Sequence, residues 1–161
     1  MNRAYLLLGG NIGDKEQNLQ KAGDLISQRA GPVLEESSIF VTKAWGKEDQ
    51  PDFYNKAISI ETALPATALL TVLLNIESEL GRTRTGDKWQ ERIIDIDILL
   101  YNQEIIDLPE LKIPHPYLQD RKFVLAPLFQ IAPELVHPVL KKSVEELLNE
   151  CKDPLEVTEK P

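Results

Sequence analysis

Arg92-Ile93-Ile94-Asp95-Ile96-Asp97-Ile98-Leu99 alternates isoleucine with carboxylate through its centre. Side chains on a strand point to opposite faces in turn, so Ile94, Ile96 and Ile98 face a core while Asp95 and Asp97 share the other face. By the same parity Arg92 does not share the face of the acids if the strand starts that early. This strand, extending to Tyr101, closes a longer pattern. Before it, Leu69, Leu73, Ile76 and Leu80 recur along one helix face, with Gly81 just beyond as a terminator. Earlier still, Val33 to Val41 and Phe53 to Thr62 are strand-like, separated by a polar loop from Lys43 to Asp52 that contains Gly46 and Pro51. The chain begins with the apolar run Tyr5 to Leu8, a buried strand that Gly9-Gly10 closes in a tight turn. Asp14 with Gln17 then has the form of a capping box. Leu19, Ala22, Leu25 and Ile26 continue at helical spacing until Gly31-Pro32.

The order strand, helix, strand, strand, helix, strand predicts an α+β fold, a ferredoxin-like sheet with helices packed on it. Ser143 with Glu146 opens a short final helix, and the charged tail from about residue 152 is expected to fray. With 161 residues, 42% of them hydrophobic and 27% charged, a single globular domain over 1–161 is expected. No apolar run approaches the roughly 18 residues of a membrane helix, and none near the start has signal-peptide length. The lone Cys151 can form no internal disulfide, which fits a reducing cytoplasm. A net charge of -8 would repel a nucleic-acid backbone, so no nucleic-acid partner is expected and any phosphate ligand must meet local basic groups.

Those groups precede the acids: Arg82, Arg84, Lys88 and Arg92. The two Asp Cα atoms lie roughly 6–7 Å apart, and Mg²⁺ commonly takes one or two protein carboxylates plus phosphate oxygens. Cations beside such a pair suit a metal-bound polyphosphate, since guanidinium groups grip phosphate oxygens in bidentate geometry. Taken alone, Asp-x-Asp reads sooner as an amphipathic strand with solvated acids, which the basic residues would merely neutralise. Gly9-Gly10-Asn11-Ile12-Gly13 lacks the lysine of a P-loop, which excludes a standard NTPase. Its glycines serve either a turn or a ligand. Phe53 and Asn55 share a strand face, an aromatic and an amide suited to a flat heterocycle, or else a core Phe beside a turn Asn. His115, held between Pro114 and Pro116 with Arg121 following, can present an imidazole to phosphate, or else is an ordinary surface residue of the loop.

Taken in order, Gly9-Gly10-Asn11, Trp45-Gly46, Gln50-Pro51-Asp52-Phe53-Tyr54-Asn55, Gly81-Arg82, Arg92 to Asp97 and Pro114-His115 resemble the hydroxymethyldihydropterin pyrophosphokinase family. The resemblance runs from the first strand to about Val136. It implies transfer of pyrophosphate from ATP to 6-hydroxymethyl-7,8-dihydropterin, giving AMP and the pterin diphosphate in folate biosynthesis. It also implies two Mg²⁺ ions on Asp95 and Asp97, with Arg82 and Arg92 acting catalytically on the polyphosphate. Glu77, Arg84, Trp89, Ile98, His115 and Arg121 would surround ATP. Phe53 and Phe123 would stack on the pterin, Asn55 and the backbone near Thr42 and Ala44 would read its polar edge, and Trp45 would line the pocket. Loops at Lys43 to Asp52 and Arg82 to Glu91 would close over ATP. A monomer is expected. The chain departs from the family pattern at Gln90, where Gly or Ala is usual, and at Leu74. Two other readings keep the fold: a polymerase or cyclase palm, without a pterin pocket, and an RNA-binding module, which the negative charge opposes.

Overall fold

The computed structural model describes residues 1–43, 51–81 and 93–161. Its first part contains β1 (Asn2–Gly10), α1 (Lys15–Arg29), β2 (Val33–Glu36), β3 (Phe40–Thr42), β4 (Phe53–Thr62) and α2 (Ala66–Glu79). The second contains β5 (Asp95–Tyr101), β6 (Ile106–Asp107), β7 (Lys112–Ile113), α3 (Lys122–Ile131), α4 (Val144–Glu150) and β8 (Val157–Glu159). The main sheet runs β5-β1-β4-β3-β8, with β2 also on β4, and every pairing is antiparallel. β1 therefore sits between the last strand of the repeating pattern and β4, the ferredoxin-like path expected from the element order.

Alternation along the strands feeds two separate cores. On one face Leu6, Leu8, Ile58, Ile60, Ile94, Ile96 and Ile98 pack against Leu19, Ala22 and Ile26 of α1 and Leu69, Leu73 and Ile76 of α2. On the other, Tyr5, Leu7 and Ala57 meet Val124, Leu125 and Leu128 of α3 and Val144 and Leu147 of α4. Full burial of each such aliphatic side chain contributes roughly 1.5–3 kcal/mol, so both faces hold the sheet. A register shift at Tyr5/Leu6 puts Leu99 and Leu100 together in the second core and returns Tyr101 to the first. A bulge reverses face parity in this way.

Local signals act largely as expected. Asp14 caps α1 by accepting from the Gln17 amide at 3.2 Å, and Ser143 and Glu146 form a reciprocal capping box on α4. Gly81 lies just beyond α2 with φ of 130°, a conformation that favours glycine at a helix exit.

Four details differ from the sequence reading. Gly9 and Gly10 belong to β1, paired with Asn55 and Tyr54, and the positive φ of 68° falls at Gly13. Val33 to Val41 divides into β2 and β3, because the Ser37 amide and hydroxyl engage Ala57 of β4 and interrupt the strand. α3 has no counterpart in the sequence pattern. The tail does not fray: β8 pairs with β3, Thr42 opposite Val157, and Lys160 donates its amide to the Ile39 carbonyl at 2.8 Å. The unpaired edge of β3 supplies backbone partners that a tail of charged residues could not advertise.

Candidate active site

β1 aligns the site. Gly9 lies opposite Asn55 on β4 and opposite Asp95 on β5, and Phe40 on β3 lies opposite Asn55. The next rows place Leu7 beside Asp97 and Thr42 beside Phe53. Residues opposite one another project to the same side, so Asp95, Asp97, Asn55, Phe53 and Thr42 occupy one face. It is the face α3 and α4 cover farther along β1, where Tyr5 and Leu7 enter the second core. Two neighbouring strand spacings put Asp95 and Asn55 roughly 10 Å apart.

Gly9 makes room for this row. A Cβ there would fall far inside contact distance of Asn55 Oδ1, so the Asn55 amide lies over the bare glycine. Asn55 is 6% exposed, whereas Phe53 is 38% exposed and offers its ring to solvent. Thr42 is buried, and its hydroxyl has no hydrogen-bond partner among the described residues. An unsatisfied buried hydroxyl costs about 1–3 kcal/mol, which a polar ligand would relieve.

Asp95 is half-buried and Asp97 exposed on the edge strand β5. Among the described residues no group of three or more metal-ligating side chains converges. Two hard carboxylates fit Mg²⁺, which retains water and substrate oxygens in its remaining positions. β5 begins at Asp95, and Arg92 lies outside the described residues.

His115 follows β7 and docks onto β5, its amide donating to the Leu99 carbonyl at 2.9 Å. Its Nδ1 accepts the Tyr117 amide at 3.2 Å, leaving the neutral ring's proton on Nε2. Burial holds the imidazole below its ordinary range. The Asp97 charge pulls it back upward and the Arg121 charge pushes it down, so acid, imidazole and guanidinium lie within electrostatic reach. Arg121 stands over the Tyr117 ring at 4.7 Å and the Phe123 ring at 5.6 Å. Phe123 is partly buried on the second core at the start of α3. Arg121 and Phe123 also border a cavity of about 560 Å³ whose far wall is 150–155, and neither Asp95 nor Asp97 lines it.

Two residues expected around the nucleotide have buried side chains. The Ile98 side chain is in the first core, so only its main chain on the sheet edge can meet a ligand. Glu77, 7% exposed, accepts the Ile96 amide through Oε2 at 2.7 Å. Ala44, Trp45, Arg82, Arg84, Trp89 and Arg92 lie outside the described residues. Tyr117 was missed by sequence reasoning, although an aromatic two places after a proline-flanked histidine was the available signal.

A model of the 7,8-dihydro-6-hydroxymethylpterin-pyrophosphokinase family matches residues 5–133. The Bacillus subtilis 2-amino-4-hydroxy-6-hydroxymethyldihydropteridine pyrophosphokinase is 46% identical over 135 residues, 83% of this chain and 80% of that protein. The Aquifex aeolicus protein of the same name is 38% identical over 146 residues, covering 91% and 90%. The Schizosaccharomyces pombe folic acid synthesis protein fol1 is 40% identical over 147 residues, 91% of this chain but 20% of that protein. Among solved structures, wild-type Plasmodium falciparum HPPK-DHPS with pteroate matches with a TM-score of 0.76 at 19% identity, over 92% of this chain and 44% of that one. At that identity the likeness supports the fold alone.

Proposed function

Because the chain belongs to the 7,8-dihydro-6-hydroxymethylpterin-pyrophosphokinase family, we propose how its residues divide the work of that reaction. The enzyme is an ATP-dependent pyrophosphokinase that transfers a pyrophosphoryl group to hydroxymethyldihydropterin in folate biosynthesis. The observation that carries the assignment is the row Asp95, Gly9, Asn55, which sets an acid and an amide side by side across three strands.

Asn55 reads the pyrimidinone edge of the pterin, both donating and accepting, and the Thr42 hydroxyl, without a partner among the described residues, and the main chain at Ala44 supply further polar contacts. Phe53 stacks on the ring, with Phe123 as the opposing aromatic and Trp45 lining the pocket. Bound there, the pterin extends its hydroxymethyl group along the row toward Asp95.

Asp95 and Asp97 would hold two Mg²⁺ ions, which when bound supply positive charge against the phosphate oxygens. The hydroxyl oxygen forms a bond to the β-phosphorus, the bond from that phosphorus to the α,β-bridging oxygen breaks, and AMP leaves with that oxygen. The hydroxyl proton passes to solvent. His115 donates from Nε2 to a phosphate oxygen, and Arg121, oriented by Tyr117 and Phe123, adds a fixed cation. Arg82 and Arg92 act on the transferring group, Arg84 and Trp89 on the nucleotide, and Ile98 meets it through its main chain. All these groups belong to one chain, so a monomer suffices, and the single cysteine suits a cytoplasmic location.

The test is AMP formation from ATP and Mg²⁺, with and without 6-hydroxymethyl-7,8-dihydropterin, in wild type and Asp97→Ala. The expected result is pterin-dependent AMP that falls at least about a hundredfold in the variant, as when a transition-state contact is removed. Full turnover by folded Asp97→Ala would reject the carboxylate assignment.

A further inference from the structure

Glu77 is in the last turn of α2, on the opposite side of the sheet from Asp95 and Asp97, among Leu73 and Ile76 of the first core. A carboxylate there is disfavoured twice. Burial removes it from water, and the negative end of the helix dipole repels it. Leu69, Leu73 and Ile76 already supply the apolar stripe of α2.

One return on that cost is explicit. Oε2 accepts the amide of Ile96 at 2.7 Å, and Ile96 is the residue between Asp95 and Asp97. β5 is the outer strand of the sheet, paired on one side by β1. An edge strand has main-chain groups that its sheet does not satisfy, and its position along the free side is set by whatever else binds it. A side-chain acceptor held on a helix packed in the core is a firm constraint of this kind. It acts on the peptide unit joining Asp95 to Ile96, and so on the short stretch of backbone between the two acids.

We propose that Glu77 is a positioning residue for the reaction, fixing the spacing and direction of Asp95 and Asp97 through the β5 main chain instead of touching the nucleotide. The proposal rests on the assignment of Asp95 and Asp97 as the metal-binding pair. The side-chain acceptor is the working part, so Gln retains the function and an apolar residue of similar size abolishes it.

Glu77→Gln and Glu77→Met separate these possibilities, since methionine preserves volume and avoids a large cavity. The first readout is amide hydrogen exchange at Ile96, measured without nucleotide or metal. Exchange should accelerate about tenfold or more in Glu77→Met, while Glu77→Gln stays near wild type. The second is turnover against Mg²⁺ concentration. Glu77→Met should raise the half-saturating Mg²⁺ about tenfold and leave the ATP KM at saturating Mg²⁺ within about twofold, and Glu77→Gln should recover most of the difference. Equal Mg²⁺ defects in Gln and Met would overturn the proposal in favour of a required charge. So would unchanged Ile96 exchange in Glu77→Met, or an effect confined to the ATP KM. Asp97→Ala is measured beside them: a normal Mg²⁺ response there would remove the premise, while the exchange result would still report whether Glu77 holds β5. Should Glu77→Met fail to fold, Ile96 exchange in Glu77→Gln still decides. A rate near wild type upholds the acceptor, and faster exchange in a variant that keeps an acceptor denies it the role.

Discussion

Asn55 Oδ1 occupies the space that a β-carbon on Gly9 would need. The contact joins adjacent strands in the row that also holds Asp95, so a residue without a side chain sits where amide and acid must both be accommodated. Glycine's use here is close approach, and its backbone is ordinary strand.

Gly9→Ala should therefore displace the Asn55 amide. The expected outcome is a rise in the pterin KM of roughly tenfold, the worth of a misplaced hydrogen-bonding group, with a smaller change in the ATP KM. Steady-state kinetics with each substrate varied in turn would show it; equal effects on both substrates would count against a pterin-specific role for Asn55.

Thr42 offers a test in the opposite direction. Its buried hydroxyl has no partner among the described residues, so Thr42→Val should leave the free protein as stable as wild type or stabilise it by about 1 kcal/mol. The same substitution should weaken pterin binding several-fold. Denaturant unfolding paired with calorimetric titration of the pterin separates the two, and a loss of stability without a loss of affinity would show the hydroxyl to be structural.

The C-terminal strand lies outside the segment that matches the family, yet it covers the edge of β3 and brings Val157 opposite Thr42. Gln130 of α3 ties the two, accepting the Ser38 amide at 2.5 Å and donating to Glu159 at 3.0 Å. Deleting 157–161 should lower the melting temperature by a few degrees, the shift expected for about 1 kcal/mol in a chain of this size, and raise the pterin KM more than the ATP KM. Unaltered melting would mean that β3 holds its place without the tail.

These cases mark where sequence legibility ends. The period-two pattern of Ile94, Ile96 and Ile98 and the capping pair Ser143 and Glu146 are local signals, and both survive in the structure. β8 depends on Val41 meeting Thr158, a pairing with no local signature. α3 was obscured by Pro127 inside it, which removes a helical amide and ordinarily marks a break; burial of Val124, Leu125 and Leu128 overrides that cost. The acids and Asn55 could be assigned to faces from parity, but their alignment through Gly9 required strand register. Glu77 was legible as a residue near the site, while its direction, inward to Ile96, was not.

His137 makes stability depend on pH independently of the reaction. It is buried, and its Nδ1 accepts the amides of Val139 at 3.2 Å and Leu140 at 3.0 Å. Burial lowers its pKa below the ordinary 6.5. The unfolded chain therefore takes up a proton at a higher pH than the folded one does, so stability is complete above about 6.5 and declines as pH falls through that value toward the folded pKa. Protonation would also turn Nδ1 from an acceptor into a donor facing two other donors. His115 is shifted the same way and contributes a second, separate part of the slope. His137→Asn should keep an acceptor near the Nδ1 position without gaining a proton. Unfolding free energies measured by denaturant from pH 8 to 5 should fall more gently in the variant than in wild type, with a residual slope from His115. Parallel curves for the two proteins would place the acid sensitivity elsewhere, since an uncharged amide at this position takes up no proton and could not reproduce the wild-type dependence.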